Sequence, residues 1–270
     1  MRIALCAIGR RENLYAKEFV EHYKKLGFDN IFILDNNYDG EEHFEEVLDD
    51  YIKEDFVKII DIRNQQNCQM REYTKFYEQY GGDFDAVMYA DMDEFLILEH
   101  DTTISDYISR FPEDWQAILV NWDCKTDSGL VYYDHRPLME RFTASLSPID
   151  KPVQYGNIPE NAHVKCILKG GIDGVRFYSN PHVPNNSLVC YNASGIRCSN
   201  APWQAIDYRM ARLIHFTTKT AEEYCNKLQR GTPDRTYDVF LKTYIGRFWG
   251  YNERTEEKVK FFQERGYSGV

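Results

Sequence analysis

The stretch Asp85-Ala86-Val87-Met88-Tyr89-Ala90, followed at once by Asp91-Met92-Asp93-Glu94, decides how the chain is read. A short apolar run suits a strand covered on both faces, and the carboxylates behind it mark the strand's carboxyl end. Upstream the same grammar repeats. Residues 3–8 read as a strand, and residues 12–26 place Tyr15, Phe19, Tyr23 and Leu26 at helical spacing before Gly27 stops the helix. A second strand at Ile31-Phe32-Ile33-Leu34 precedes an acidic helical segment over 41–52. A third strand at 57–62 precedes a helix over 68–80 that Gly81-Gly82 ends. Strands alternating with helices predict an α/β fold whose sheet is mostly parallel, with helices on both faces.

In such sheets ligands bind beyond the carboxyl ends of the strands. The four exits are Gly9-Arg10-Arg11-Glu12, Asp35-Asn36-Asn37-Tyr38-Asp39, Arg63-Asn64-Gln65-Gln66 and Asp91-Met92-Asp93-Glu94, and they are expected to converge on one rim. Neither G-x-G-x-x-G nor G-x-x-x-x-G-K-[ST] occurs, so no dinucleotide fingerprint or phosphate loop is present. After Trp122 the texture changes to short strand-like runs with Pro, Gly and Asn punctuation, which predicts a mixed portion. Helices return near 220–228 and 254–264. The expected division is 1–122 and 123–270, within one continuous domain.

Composition bounds the function. With 43% hydrophobic and 28% charged residues in 270, the chain can bury a sizeable core throughout. A net charge of −11 excludes a long-range field that gathers nucleic acid, so any phosphate must be met locally, by a metal ion or a few basic groups. Seven scattered cysteines without C-x-x-C spacing predict free thiols and a reducing cytoplasm. The apolar opening is too short for a signal sequence or a membrane span.

Asp-x-Asp alone says little, because 22 aspartates should give about two such pairs by chance, and two occur. Position separates them: Asp83-Phe84-Asp85 precedes a strand, whereas Asp91-Met92-Asp93 follows one. Three carboxylates in four residues repel unless compensated, and their hard oxygens suit Mg²⁺ or Mn²⁺. Such an ion would steady a departing diphosphate; the blander reading is solvated carboxylates in a turn.

Several motifs then resemble one family. Glu12-Asn13-Leu14-Tyr15, Glu18 through Gly27 and Ile33-Leu34-Asp35-Asn36-Asn37 look like the opening of family-92 and related family-2 glycosyltransferases. Tyr89 through Leu96 matches their D-x-D-E-F element. Glu140-Arg141-Phe142, His163-Val164-Lys165, Asn180-Pro181-His182 and Ile214 through Lys219 follow in order. Two departures stand out: Arg10-Arg11-Glu12 replaces the usual Lys-Asn-Glu, and Pro181-His182 replaces a frequent His-His pair.

The resemblance implies a GT-A fold with a nucleotide-sugar-binding first half and an acceptor-side second half. It implies a nucleotide-sugar donor, with a UDP-sugar favoured, and a glycan or lipid-linked glycan acceptor. Asp35 with Asn37 or Asp39 would hold the base, Asp91 and Asp93 the ribose and metal, and Glu12 would belong to the donor side. A turn aspartate bonding its own backbone is the competing reading of Asp35. Arg71 would approach the diphosphate or else pair with a neighbouring glutamate. His215 is the first choice of third metal ligand, ahead of His182 and His163, and Lys219 is a phosphate partner. In an inverting transfer one carboxylate takes the acceptor proton; Asp123 and Glu140 are the candidates, and an ion pair with Arg136 or Arg141 is the plain alternative for Glu140. Phe240, Tyr244, Phe248, Trp249 and Tyr251 offer a peripheral membrane contact or, more simply, core packing. Competing functions are a metal-dependent nucleotidyltransferase or phosphohydrolase, and a carbohydrate-binding domain with a decayed site.

Overall fold

A computed structural model describes residues 1–146, 158–184, 187–231 and 237–267, with only the backbone at 237–240 and 242. The elements run β1 (Ile3–Gly9), α1 (Asn13–Lys25), β2 (Asn30–Asp35), α2 (Glu45–Lys53), β3 (Val57–Asp61), α3 (Gln69–Tyr80), β4 (Ala86–Asp91), β5 (Glu94–Leu98), α4 (Ile104–Ile108), β6 (Ala117–Cys124) and α5 (Leu138–Arg141). After a 3-10 turn at Glu160–Ala162 come β7 (Val164–Lys169), β8 (Cys190–Asn192), β9 (Arg197–Cys198), β10 (Ala211–His215), α6 (Ala221–Arg230), α7 (Tyr237–Tyr251) and α8 (Glu256–Glu264).

One sheet takes the order β3-β2-β1-β4-β7-β6-β10-β5, with β8 and β9 attached beside β6. Strands β3, β2, β1 and β4 are parallel, as the alternating grammar requires. Their register pairs Gly9 with Asp35, Asp35 with Asp61, and Ile8 with Asp91, so the carboxyl ends fall on one edge. Strand β7 is antiparallel to β4 and to β6, which makes the later part of the sheet mixed.

The described chain forms two compact units, Met1–Trp122 with Ala162–Leu213, and Asp123–Asn161 with Ile214–Val270. The core of the first includes Cys6, Phe32, Phe76, Tyr89, Leu119, Cys166 and Phe177. The second packs Val131, Tyr224, Leu228, Phe248, Phe261 and Phe262 together. Helix α6 starts on a capping box in which the Thr220 side chain accepts from the Glu223 amide and the Glu223 carboxylate accepts from the Thr220 amide.

Helix α7 was not expected from the sequence. Its residues are apolar around most of the circumference, so they present no stripe of period 3.6. Phe248 and Tyr251 are buried, and Tyr244 and Trp249 pack against the second core, so core packing occupies these aromatics. The side chain of Phe240 lies outside the described residues. No described helix is long and apolar enough to cross a membrane. All seven cysteines are free thiols.

Candidate active site

At the exits of β1 and β2 the carboxylates of Asp35, Asp39 and Glu41 each meet a defined donor. Asp35 is buried; its Oδ1 accepts the Asn37 amide (2.9 Å) and the Asn37 side-chain amide (2.7 Å), and its Oδ2 pairs with Arg63 Nη1 (2.7 Å). The turn conformation weighed for Asp35 is therefore the one adopted. Asn37, wholly buried, accepts from the Arg11 amide (2.8 Å) and so ties the β1 exit to the β2 exit. Arg63 also donates to the Tyr38 carbonyl (2.7 Å) and the Glu42 carbonyl (3.1 Å), wrapping the loop around its guanidinium. Asp39 and Asn64 bond reciprocally, at 3.0 and 2.9 Å. Glu41 takes both arms of Arg10 (2.9 and 2.8 Å), and the Arg10 hydrogen bond holds its pKa down at about 2. Glu12 is buried just ahead of α1, where its carbonyl accepts the Tyr15 and Ala16 amides.

The exit of β4 is different. Asp91 Oδ1 accepts from Gln69 Nε2 (2.9 Å), and Asp91 Oδ2 pairs with Lys165 Nζ (2.9 Å). Glu94 Oε2 accepts the Asp91 amide (2.9 Å) and lies 3.6 Å from the same ammonium. Asp93 is buried at 6% exposure, Glu94 completely. Burial raises the Glu94 pKa well above the carboxylate range, and the neighbouring Asp91 and Asp93 add to burial what Lys165 does not cancel. Burial works against the Lys165 charge, yet Asp91 and Glu94 outweigh it and raise its pKa. Asp91 and Glu94 thus share one lysine.

Glu94 Oε1 is buried with no hydrogen-bond partner among the described residues. Excess negative charge, hard oxygen donors and an orphaned acidic oxygen together fit a divalent cation. Gly9 shapes this turn, since a Cβ there would lie 2.3 Å from Met92 Sδ and 2.7 Å from Phe44 Cζ. A side chain at position 9 would have to push aside Met92, the residue between the two aspartates, or Phe44.

A second acidic group was not anticipated: ligand atoms of Asp35, His43 and Glu45 lie within 4.8 Å of one another. Arg63 Nη1 is 2.7 Å from Asp35 and 3.4 Å from His43 Nδ1, so a guanidinium already supplies positive charge there. Arg71 pairs with Glu72 (2.7 Å), the plainer of its two expected roles.

The second unit carries the remaining sequence candidates. Buried Asp123 pairs with Lys125 (3.1 Å), whose ammonium also donates to Ser145 (2.6 Å). Glu140 is exposed on α5 and takes no part in the ion pairs weighed for it, because Arg141 is bound in both arms to Glu223 (2.9 and 3.0 Å) and Arg136 to Asp134 (2.7 Å). His215 ends β10 and is buried. Lys219, also buried, holds a left-handed φ of 56° just before the α6 cap.

Sequence reasoning missed the roles of Lys165, Arg63 and Gln69. For Lys165 a signal existed: a lysine inside Val164-Lys165-Cys166-Ile167-Leu168 is buried whichever face the strand presents, and buried lysines need partners.

The family model of glycosyltransferase family 92 matches residues 3–228. The chain belongs to glycosyltransferase family 92. This family 92 glycosyltransferase matches no curated protein. Among solved structures it is similar to S. aureus TarS in complex with UDP-GlcNAc, at 10% identity over 100% of this chain and 74% of that one, TM-score 0.46. It is similar to TarS residues 1–349 at 8% identity over 100% and 75%, TM-score 0.43. A match to the UDP complex of TarS has 11% identity over 49% and 38%, TM-score 0.36, so there the chain spans well under half of that protein. These are distant likenesses.

Proposed function

We propose that this glycosyltransferase moves a sugar from a nucleotide-sugar donor, with UDP favoured, to a glycan or lipid-linked glycan acceptor, with inversion at the anomeric carbon. The observation that carries it is the β4 exit, where Asp91 and the buried Glu94 share the ammonium of Lys165 and Glu94 Oε1 has no hydrogen-bond partner among the described residues, on the edge that α/β sheets use for ligands. Asp91 and Asp93 would hold Mn²⁺ or Mg²⁺, with His215 as the expected third ligand. Bound there, the ion would neutralise charge on the leaving diphosphate. Lys165 and Gln69 fix the Asp91 carboxylate from behind, which keeps its orientation set before a ligand arrives. Asp35, Asn37 and Asp39 line the β2 exit where the base would lie, with Glu12 and Arg71 on the donor side and Lys219 a phosphate partner. Asp123 or Glu140 would accept the acceptor proton.

The reading is tested by incubating the full chain with a panel of nucleotide sugars and Mn²⁺ and following nucleoside diphosphate release. Release from one donor, lost on chelation, is expected. Release of inorganic phosphate or pyrophosphate from a nucleoside triphosphate, with every nucleotide sugar left intact, would replace the transferase reading with a phosphohydrolase or nucleotidyltransferase. Asp123→Asn or Glu140→Gln should preserve donor binding and slow transfer at least about a hundredfold in whichever residue is the base.

A further inference from the structure

Three chain segments of the first unit bring rings into one row. Strand β6 reaches Trp122, whose amide donates to the His163 carbonyl (2.9 Å). On the other side of His163 runs segment 202–204: the Val164 amide donates to Pro202 (3.1 Å), the Gln204 amide to Ala162 (2.8 Å), and His163 and Trp203 form an antiparallel bridge. Residues directly opposite each other across such pairings project from the same face, with Cβ atoms about 4.5–5.5 Å apart. The Cβ atoms of Trp122, His163 and Trp203 therefore lie on one face. The Trp122 indole and His163 imidazole stack with centroids 5.2 Å apart and planes at 28°. His182 closes the group, 5.1 Å from Trp122 and 5.6 Å from His163. Its Nδ1 faces the Val164 carbonyl at 2.9 Å; a carbonyl only accepts, so Nδ1 carries the proton and the ring orientation is fixed.

The two indoles differ. Trp122 is nearly covered, at 5% exposure, whereas Trp203 keeps 47% and makes no side-chain hydrogen bond or ring contact with any described residue. The row also has an address. His163 and Lys165 are two apart on one extended segment and share a face, and the Lys165 ammonium lies 2.9 Å from Asp91. The open Trp203 indole is thus paired through its backbone to the segment whose Lys165 meets the acidic turn at the ligand edge of the sheet.

We propose that Trp203, opposite His163 in the backbone pairing, is the platform for the acceptor sugar. A pyranose ring would lay its C–H face on the exposed indole. A large flat apolar face beside a few fixed polar groups suits a neutral, hydroxyl-rich ring. The proposal rests on the transferase reading above and adds the side that receives the sugar.

The test uses the full chain labelled with ¹⁵N. It has four tryptophans, and Trp203→Phe and Trp203→Ala identify the Trp203 indole N–H signal. Methyl β-galactopyranoside, methyl β-glucopyranoside and N-acetylglucosamine are titrated in turn, and Mn²⁺-dependent UDP binding is followed separately by calorimetry. The expected result is a saturable shift of the Trp203 signal with at least one of these sugars. With that sugar as acceptor, KM should rise about tenfold in Trp203→Ala while kcat changes little, and Trp203→Phe should recover most of the loss. UDP binding should be the same in all three proteins.

A Trp203 signal that none of the sugars moves, in protein that binds UDP, overturns the platform alone. Weakened binding of UDP or of the UDP-sugar in Trp203→Ala also overturns it, because the ring would then serve the donor. A sugar that shifts Trp203 in protein that binds no nucleotide supports a sugar platform and sinks the transferase reading.

Discussion

Two loops on the same edge of the sheet treat their carboxylates in opposite ways. Beyond β2, Asp35 has Arg63 from the β3 exit and Glu41 has Arg10 and Arg11 from the β1 exit, so each of these acids is matched by a neighbouring loop. Beyond β4, Asp91 and Glu94 share one lysine, and Glu94 is buried with an oxygen left over. A matched loop is complete without a ligand. An unmatched one stores repulsion that a divalent cation relieves, and that difference points to the β4 exit as the place for a metal, even though Asp35, His43 and Glu45 are closer to one another.

The comparison can be broken in several ways. The largest effect is expected for Lys165→Met, which strands carboxylates beneath the β4 exit and should cost about 3–5 kcal/mol in urea unfolding with a chelator present. A loss below about 1 kcal/mol would mean that another group compensates them. Next comes Arg63→Met, where Asp35 keeps its two bonds from Asn37, so about 2–3 kcal/mol is expected in the same assay. Gly9→Ala should cost about 1–2 kcal/mol, because the new methyl must displace Met92 or Phe44, and it should weaken donor binding, since Met92 joins the two aspartates.

The smallest expected effect is a contrast of sign with pH. Glu41 has a folded pKa lowered from 4.5 to about 2, so its pairing stabilises fully above 4.5 and is lost as pH falls toward 2. Glu94 is raised above the same 4.5, so the stability it contributes is full below 4.5 and is lost as pH climbs beyond it. In metal-free protein Glu41→Gln should therefore lower stability at pH 6 more than at pH 3. Glu94→Gln should gain on the parent chain between pH 4 and 7. Parallel stability profiles for the two variants would erase the distinction between the loops.

Much of this was legible before any coordinates. Apolar runs with polar exits gave β1 to β4 as strands of a mostly parallel sheet, though not their order, because strand and helix periods are local signals. The acidic exit of β4 was legible for the same reason. Partners were not: Lys165 is 74 positions from Asp91 by subtraction of their residue numbers, and Arg63 is 28 from Asp35, so no local pattern couples them. The competing turn reading of Asp35 could be named because Asn36-Asn37 follows it, and that turn is what forms. Helix α7 escaped because an all-round apolar helix shows no stripe, and β5 because its run Phe95-Leu96-Ile97-Leu98 follows the acidic turn without a separating signal.

The most direct measurement is calorimetric titration of UDP into the chain and its Asp93→Ala variant, each with Mn²⁺ and with chelator. Binding to the parent chain that needs Mn²⁺, and that vanishes in the variant, is the expected result. Equal UDP affinity in all four titrations would contradict the assignment of the β4 exit as the metal and donor site.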